Sequence, residues 1–541
     1  MVSVSRAELL DLLRTRFGHD QFRPGQERLI RDALEGRDAL AVLPTGGGKS
    51  LIYQLAAQLL PGLSIVVSPL LALMKDQVDS LEALGLDVGV VSSMQSEGQQ
   101  ASELEEAQRG ETRLLYVTPE RFSSDEFVQD LKGLEISLLV IDEAHSISEW
   151  GHTFRPSYLG LADAAERLGR PTVLALTATA SPWIRREIVD RLRLRNPDTV
   201  VNGIDRPNLV FEVVRVEQER EDKRVLHQLL CDHEQRLEGS GIIYTATTRA
   251  ADDTAAWLRE WGLSADAYHG RRRKSDRDRI QNEFMAGTLQ VIAATNAFGM
   301  GVDKPDVRFV VHRDIPGSLE AYYQEAGRAG RDGQPARCVL IYRPGDLGRA
   351  AFLNASGELT REEVHQARPG MLGLGQASPR QMQEASTLGK ADFARLVEIL
   401  EAEGLLRRRR GRLVISEFDP DALPLEREQA RRAYERSRLE MMRGYAETRD
   451  CRRAFILSYF GEELSPPGPC GRCDNDRQRA PGPVKLIDGP FAVHDQVRHP
   501  SMGEGVVHAV TEDTLTVLFE TSGYKTLSLD LVLEQDLLHR V

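Results

Sequence analysis

Cysteine is scarce in this 541-residue chain, with five in all. So few cannot form a disulfide framework, and with no export signal the expected compartment is the cytoplasm, where clustered cysteines point to metal. Long apolar runs are also lacking, and none reaches the ~20 residues of a bilayer-spanning helix. The N-terminal stretch MVSVSRAELLDLLRTRFG turns into an amphipathic helical pattern, unlike a signal peptide. There is no repeat of solenoid period and no low-complexity tract, which excludes a repeat array. An excess of positive charge is absent too. The net charge of −13 excludes a chain coated uniformly for nucleic acid, although a local patch can still bind phosphates. Residues 405–479 hold 17 arginines, no lysine and 13 acids, whereas residues 484–541 hold 4 basic and 9 acidic residues. The first of these segments is suited to facing a nucleic acid and the second is not.

What is present reads as ordinary globular protein, 41% hydrophobic and 28% charged, long enough for three or four domains on a soft length prior. From about 38 to 215, short apolar runs (ALAVLP, SIVVSP, LLYVTP, LLVIDE, TVLALTAT) alternate with helical patterns. Strands apolar on both faces and separated by helices make a parallel α/β sheet. From about 216 to 345 the pattern restarts with GIIYTAT, LQVIAAT, VRFVVH and RCVLIYR, so two similar domains with a cleft between them are expected. Residues 357–418 change character. SPRQMQEAS and ADFARLVEILEAEGLL read as helices about a short turn, and LLRRRRGRLVI as a β-hairpin with a basic tip, which is a winged-helix pattern. A helical hairpin follows over 425–460, and RQRAPGP is a linker. From 491, short alternating strands with glycine turns suggest a small β-barrel.

Three motifs carry chemistry. LPTGGGKS (43–50) lies between a strand and a helix. Gly46, Gly47 and Gly48, with Thr45 in the same loop, let backbone N–H groups curl round a phosphate chain. Lys49 adds a cation at the outer phosphates, and the Ser50 hydroxyl can ligate Mg²⁺. The strict pattern has glycine where this chain has Leu43. VIDEAH (140–145) ends an apolar strand on two acids, Asp142 to hold Mg²⁺ and Glu143 to polarise the attacking water. YYQEAGRAGRDG (322–333) sets Arg328 and Arg331 three apart, so both can lie on one helical face. An arginine that reaches across a cleft neutralises transition-state charge. Each motif has a bland reading as a glycine-rich turn, a solvated acidic loop or a solvated basic turn, and their joint order and spacing argue against it.

In length and order these motifs resemble the RecQ helicases of superfamily two, over about residues 8–345 and again over 425–476. Leu13, Phe17, Gly18, Phe22, Arg23 and Gln26 fit that family's adenine-side motif. The resemblance implies that Gln26 reads the adenine edge, with Arg23 and an aromatic, Phe22, flanking the base. SPLLALMKDQV (68–78), which contains Gln77, and LTATA (176–180) fit its DNA-contact and coupling motifs. ATNAFGMGVDKPDVRFVVH (294–312) fits its fifth motif, with Gly301 and Asp303 on the nucleotide side. SEWGHTFRPSY (148–158) resembles its aromatic-rich loop. Trp150, His152, Phe154 and Arg155 are thereby implied to stack on or pair with single-stranded DNA, close enough in sequence to Asp142 and Glu143 for that contact to be felt at the ATP site. Stacking on aromatics contributes ~1–3 kcal/mol per base. Glu149 and Thr153 stand where relatives usually carry glutamine and aspartate.

PCGRCDND (469–476) holds two cysteines at metal-ligand spacing. Matched to the RecQ zinc module, Cys451, Cys470 and Cys473 fit three ligands, and Asp476 stands in place of a fourth cysteine. A carboxylate binds Zn²⁺ at about 2.0–2.2 Å but is the harder ligand, so affinity falls relative to four thiolates. Three readings stay open: zinc held by the three cysteines and Asp476, zinc with water or another neighbour as fourth ligand, and no metal. Cys231 and Cys338 read as buried residues of the α/β domains.

Relatives that unwind duplexes often carry a winged helix after the zinc site. Here about 60 residues follow Asp476, and a winged-helix-like segment precedes the zinc hairpin instead. The chain thus reads as a short form without the usual C-terminal winged-helix and HRDC region. Arg407, Arg408, Arg409, Arg410 and Arg412 would sit on the wing and contact phosphates, and no aromatic at its tip offers a wedge. Residues 494–541 resemble the Tudor-like barrel at the C-terminus of UvrD/PcrA-type helicases, which implies a protein partner such as RNA polymerase. The expected fold class is α/β, with two tandem RecA-like P-loop domains (1–212 and 213–350), a winged-helix-like segment (351–424), a helical-hairpin zinc module (425–480), and a linker with a small SH3/Tudor-like β-barrel (481–541). The function implied is an ATP-dependent DNA helicase or translocase using ATP, Mg²⁺ and Zn²⁺. It would move 3′ to 5′ on single-stranded and forked DNA, in repair or recombination, away from any membrane. The alternatives are a translocase that separates no strands, an RNA-directed helicase of the same superfamily, and a DNA-bound scaffold switched by ATP.

Overall fold

A computed structural model describes residues 4–44, 46–69, 71–92, 95–148, 154–232, 236–299, 304–345, 359–409, 411–462, 464–466, 468–478, 490–492, 495–510, 514–519 and 522–541. The chain divides into two units, Met1–Arg343 with Met442–Asp488, and Pro344–Met441 with Gly489–Val541. The division falls inside helix Leu425–Glu447, after Met441.

The first unit is built on two parallel sheets. The first sheet comprises β1 (Ala39–Val42), β2 (Leu63–Val67), β3 (Val88–Val91), β4 (Leu114–Val117), β5 (Ile136–Ile141), β6 (Thr172–Thr177) and β7 (Asp198–Val201), in the order β3-β4-β2-β5-β6-β1-β7. Every pairing in it is parallel. All residues of β1, β2 and β4 are buried, as expected where helices cover both faces of a sheet. Only β6 separates β1 from β5, so the phosphate-binding loop after β1 and the acids after β5 leave the same end of the sheet close together. Open α/β sheets bind ligands at this end.

The second sheet comprises β8 (Leu209–Arg215), β9 (Ser240–Tyr244), β10 (Ala265–Tyr268), β11 (Val291–Ala294), β12 (Val307–His312) and β13 (Ala336–Tyr342), in the order β10-β11-β9-β12-β13-β8. It too is parallel throughout. Gly241 on β9 is required by close packing, because a Cβ there would lie 2.0–2.4 Å from the buried Phe309 ring of β12. The cysteine-bearing segment of this unit includes helix Arg452–Tyr459 and the short helix Asp474–Gln478.

The second unit contains helices Arg361–Leu374, Pro379–Ser386 and Lys390–Ala402. A small antiparallel sheet of Gln376–Ala377, Leu406–Arg409 and Arg412–Ile415 packs with them, in the chain order of a winged helix. Capping boxes start two of the helices, Thr360 with Glu363 and Ser378 with Gln381. Val364, Met371, Leu396, Leu400 and Leu413 form the core. The C-terminal residues make a five-stranded antiparallel sheet over 496–540. Val497, Val507, Leu515, Val517 and Phe519 are buried beneath it. No helix among the described residues is long and apolar enough to cross a membrane.

Because the Phe309 ring is enclosed, Gly241→Ala is expected to destabilise the protein by roughly 1–3 kcal/mol. Thermal unfolding should report this as a lower midpoint. Gly270→Ala, where an added Cβ meets nothing within 4 Å, should change the midpoint far less.

Candidate nucleotide site and metal centre

The phosphate-binding loop is shaped by its glycines. Gly46 and Gly48 take φ of 78° and 75°, which side chains with a Cβ rarely adopt. A Cβ on Gly47 would lie 2.8 Å from Pro44 O. Gly48 caps helix Lys49–Leu59, so N–H groups and the positive end of the helix dipole face the loop. Leu43 is tolerated where the strict pattern has glycine because it is a buried strand end, its N–H bonded to Thr177 O at 3.0 Å. Lys49 Nζ donates to Leu43 O at 3.1 Å and Pro44 O at 3.3 Å, and burial lowers its pKa. Gln26 Nε2 donates to Gly48 O at 3.0 Å, its Oε1 accepts Arg23 N–H at 2.8 Å, and Arg23 donates to Gly46 O. The adenine-side motif is therefore tied directly to the phosphate loop.

Asp142 and Glu143 follow β5 beside this loop. Burial, and then the neighbouring Glu143 charge, raise Asp142 to about 7. Glu143 is also raised, chiefly by burial. It holds φ 49°, a strained backbone state typical of functional positions in non-glycine residues. Its Oε2 lies 3.4 Å from His145 Nδ1, which is 2.8 Å from Thr177 Oγ1. The VIDEAH and LTATA motifs are thus in contact. Two half-buried carboxylates side by side suit a divalent cation, and Ser50 lines the same cavity. Asp142 and Ser50 would hold Mg²⁺ there, and it would supply charge neutralisation at the phosphate oxygens.

The cavity encloses ≈ 410 Å³ and is lined from both sheet domains, by Lys49, Ser50, Asp142 and Glu143 on one side and Gly299, Gln324, Arg328 and Arg331 on the other. A Cβ on Gly46 would lie 3.9 Å from Arg331 Cγ and Cδ, so this arginine reaches the phosphate loop. The two arginines do not share a helical face. Helix Leu319–Ala326 ends before them, and they stand in the turn over 327–332, where Gly330 takes φ 57°.

Two placements differ from the sequence reading. Phe17 lines the cavity wall, together with His19 and Gln21. Phe22 lines a neighbouring depression instead, because Gly18 at φ 69° ends helix Arg6–Phe17 and turns the chain so that residues 17 and 19 face the loop. Gln77, expected on DNA, also lines the nucleotide cavity and accepts a hydrogen bond from Gln54 Nε2 at 2.8 Å. Phe154 and Arg155 are half-buried. Arg155 N–H donates to Ser146 O at 2.9 Å, and Ser148 Oγ donates to Glu187. Thr45, Trp150, His152, Gly301, Asp303 and Arg410 lie outside the described residues. Arg407, Arg408, Arg409 and Arg412 are exposed on the hairpin, and only Arg408 pairs among the described residues, with Glu401 at 2.7 Å.

The sulfurs of Cys451, Cys470 and Cys473 and a carboxylate oxygen of Asp476 all lie within 4.8 Å of one another. Backbone N–H groups of Cys470, Cys473 and Asp476 donate to Cys451, Cys470 and Cys473 sulfur, each at 3.4 Å. Hydrogen bonds from Cys451 and Cys473 pull Cys470 far below the usual thiol range, and bonds to Cys470 and Cys473 push Cys451 above it. Asp476 Oδ2 accepts Gly471 N–H at 3.0 Å. Its Oδ1 is buried with no hydrogen-bond partner among the described residues, as an oxygen kept for a cation would be. Three sulfurs and one oxygen at this spacing fit Zn²⁺. The nearby Asp474 is engaged elsewhere, with Arg452 Nε at 2.6 Å and Val213 N–H at 3.0 Å.

Fold and site together define a tandem P-loop architecture with arginines of its second domain on the nucleotide cavity and an attached cysteine cluster that fits a metal. The DEAD/DEAH box helicase family matches residues 23–186, the helicase conserved C-terminal domain 221–333, and the RecQ zinc-binding family 390–477. The chain is 36% identical over 466 residues to the ATP-dependent DNA helicase RecQ of Bacillus subtilis, covering 86% of this chain and 66% of that protein. It is 37% identical over 488 residues to the ATP-dependent DNA helicase RecQ of Synechocystis sp., covering 87% of this chain and 98% of that protein. Among solved structures, the DUF1998 helicase MrfA bound to DNA and AMPPNP shares the fold at TM-score 0.51 and 18% identity, over 77% of this chain and 63% of that one. This chain belongs to the RecQ helicase family. It spans just under two thirds of the Bacillus subtilis relative, 66%.

Protein purified without chelator is expected to contain one zinc per chain by elemental analysis. Asp476→Ala should release zinc to a chelator faster, by at least the ~10–100-fold that follows loss of a hydrogen-bond partner behind a metal ligand. Asp476→Cys should slow release. Equal release from all three proteins would remove Asp476 from the ligand set.

Proposed function

We propose that this chain is an ATP-dependent DNA helicase that hydrolyses ATP to move 3′ to 5′ along single-stranded DNA and opens forked duplexes, in repair or recombination. The observation that carries the proposal is the convergence in one cavity of Lys49, Asp142 and Glu143 from the first sheet domain with Arg328 and Arg331 from the second. Lys49 attracts the outer phosphates, and Glu143 orients a water against the terminal one. Arg328 and Arg331 meet the charge that develops on the transferred group, an effect typically worth 10³–10⁵ in rate. Because the cations come from both domains, ATP favours their closure on one another and hydrolysis weakens it.

Coupling to DNA rests on the family resemblance of residues 148–158 and is supported by the anchoring of that segment. Ser146 and Ser148 at one end and Arg155 at the other are tied close to Glu143 through their hydrogen bonds. A strand stacked on Trp150 and Phe154 would bias the acids' neighbourhood. Arg407, Arg409 and Arg412 support a phosphate contact at the wing. Arg409 and Arg412 lie directly opposite across the hairpin, a like-charge pairing that is unfavourable without an anion. The acidic C-terminal sheet suits a protein partner such as RNA polymerase better than DNA. The direction of movement is taken from the family.

Single-stranded DNA oligonucleotides are expected to raise ATP turnover, and RNA of the same sequence is not. Stimulation by RNA alone would overturn the DNA reading. Lys49→Ala should abolish hydrolysis while DNA binding survives, and Trp150→Ala should lose the stimulated rate more than the basal one. A forked-duplex assay run beside protein displacement from single strands separates helicase from translocase. Replacing Arg407, Arg409 and Arg412 with alanine should flatten the plot of log K against log[salt] by about 0.9 for each phosphate that is no longer neutralised.

A further inference from the structure

Between the two sheet domains the chain passes through Ile204-Asp205-Arg206-Pro207-Asn208. No part of this segment lines the nucleotide cavity, yet it grips the turn that carries both cavity arginines. The Arg206 guanidinium donates to Gly327 O, to Ala329 O at 2.9 Å and to Gly330 O at 2.7 Å. Asn208 Nδ2 adds bonds to Gly330 O at 2.8 Å and Gln334 O at 2.9 Å. Arg328 and Arg331 sit among these carbonyls in sequence. Helix Leu319–Ala326 has ended, and past it the backbone keeps turn bonds, Arg328 N–H to Glu325 O at 3.2 Å and Ala329 N–H to Ala326 O at 3.0 Å. A planar fork with five donors can fix several carbonyls at once, which lysine cannot do.

The other side of the segment is held by the zinc module. Arg453, two residues after Cys451, makes a two-pronged ion pair with Asp205, Nε to Oδ1 at 2.5 Å. Arg472, between Cys470 and Cys473, donates to Pro207 O at 2.9 Å. The hydroxyl of Tyr323, from the helix leading into the arginine turn, donates to Ile204 O. The two zinc-module arginines thus take the residues on either side of Arg206, and Arg206 takes the arginine turn.

We propose that Arg206 is a positioning residue for Arg328 and Arg331, and that the zinc module, through Arg453 and Arg472, sets where Arg206 stands. The metal centre then acts on hydrolysis without touching nucleotide, by fixing the frame from which the two arginines reach the phosphates. The proposal rests on the ATPase reading of the cavity. It goes beyond that reading in making the zinc module part of the alignment of the ATP site.

The test measures steady-state ATP hydrolysis with saturating single-stranded DNA, beside zinc content, DNA affinity and thermal midpoint. Arg206→Ala is expected to lower kcat by about 10–100-fold, the scale of a small misplacement of a catalytic group, while the KM for ATP and the DNA affinity stay within about twofold. Arg206→Lys should recover part of the loss. In an Arg331→Ala background, Arg206→Ala should cost less than in the wild type, because one of the two residues it aligns is already gone. Asp205→Asn should reproduce a fraction of the kcat loss at unchanged zinc content. The inference falls if Arg206→Ala leaves kcat intact in an active protein. It falls equally if KM and midpoint move as much as kcat, or if the loss is as large without Arg331 as with it. Wild-type protein that hydrolyses no ATP would overturn the functional reading and this inference with it.

Discussion

Asp142 and Glu143 are half-buried carboxylates beside a half-buried ammonium, Lys49, and two guanidiniums from the other sheet domain line the same cavity. Burial works against the lysine and both acids, lowering the first and raising the others. Such a cluster is tolerable only where the charges answer one another and where ligand charge can join them. In a site of low effective dielectric each added phosphate charge is felt strongly, which makes the separation of the two domains sensitive to what lies between them. The sheet order, the glycine turns and the helix start at Lys49 bring Lys49, Asp142 and Glu143 to one end of the first sheet.

The zinc module belongs to the same constraint. It does not reach the cavity, but its packing runs along the elements that form the cavity's second wall. Tyr322 and Tyr445 join hydroxyls at 2.9 Å, Tyr459 donates to Glu320, and Phe460 packs on Tyr323 at 5.3 Å between ring centroids. These contacts fall on helix Leu319–Ala326, which delivers the chain to Arg328. On the first domain, Arg185 donates to Phe460 O. A module stapled to both domains and to the segment between them limits how the two arginines can approach the phosphate loop.

What was legible in the sequence follows the range of the interactions. The phosphate loop, the acidic pair and the parallel sheets are set by neighbouring residues, so a glycine run before a lysine or an apolar strand ending in two acids is enough to place them. The cysteine spacing was readable for the same reason. Phe17 and Phe22 could not be told apart, because the choice depends on the left-handed turn at Gly18 and on which side of the helix the loop packs. Gln77 faces the cavity through its bond to Gln54, 23 positions away. Arg328 and Arg331 suggested a helical face by their spacing, whereas glycines at 327 and 330 end the helix and long-range bonds take over. Arg206 carried no local signal at all, since its three partners lie more than 120 residues further along.

The arginine content of residues 405–479 shows why charge counts alone mislead about nucleic acid. Read as a sum, the segment suits a polyanion. Residue by residue, much of the charge is spent inside the protein. Arg452 is buried between the Tyr445 ring, Tyr445 O and Asp474. Arg453 pairs with Asp205, Arg472 holds Pro207 O, and Arg477 shares Glu212 with Arg337. These are fork-shaped contacts to carboxylates and carbonyls, for which arginine is better suited than lysine, and the absence of lysine from the segment fits that use. The arginines left exposed and without an ion pair among the described residues at the hairpin are Arg407, Arg409 and Arg412. Arg453, Arg472 and Arg477 tie the zinc module to Asp205, Pro207 and Glu212, and Arg452 ties its parts to one another.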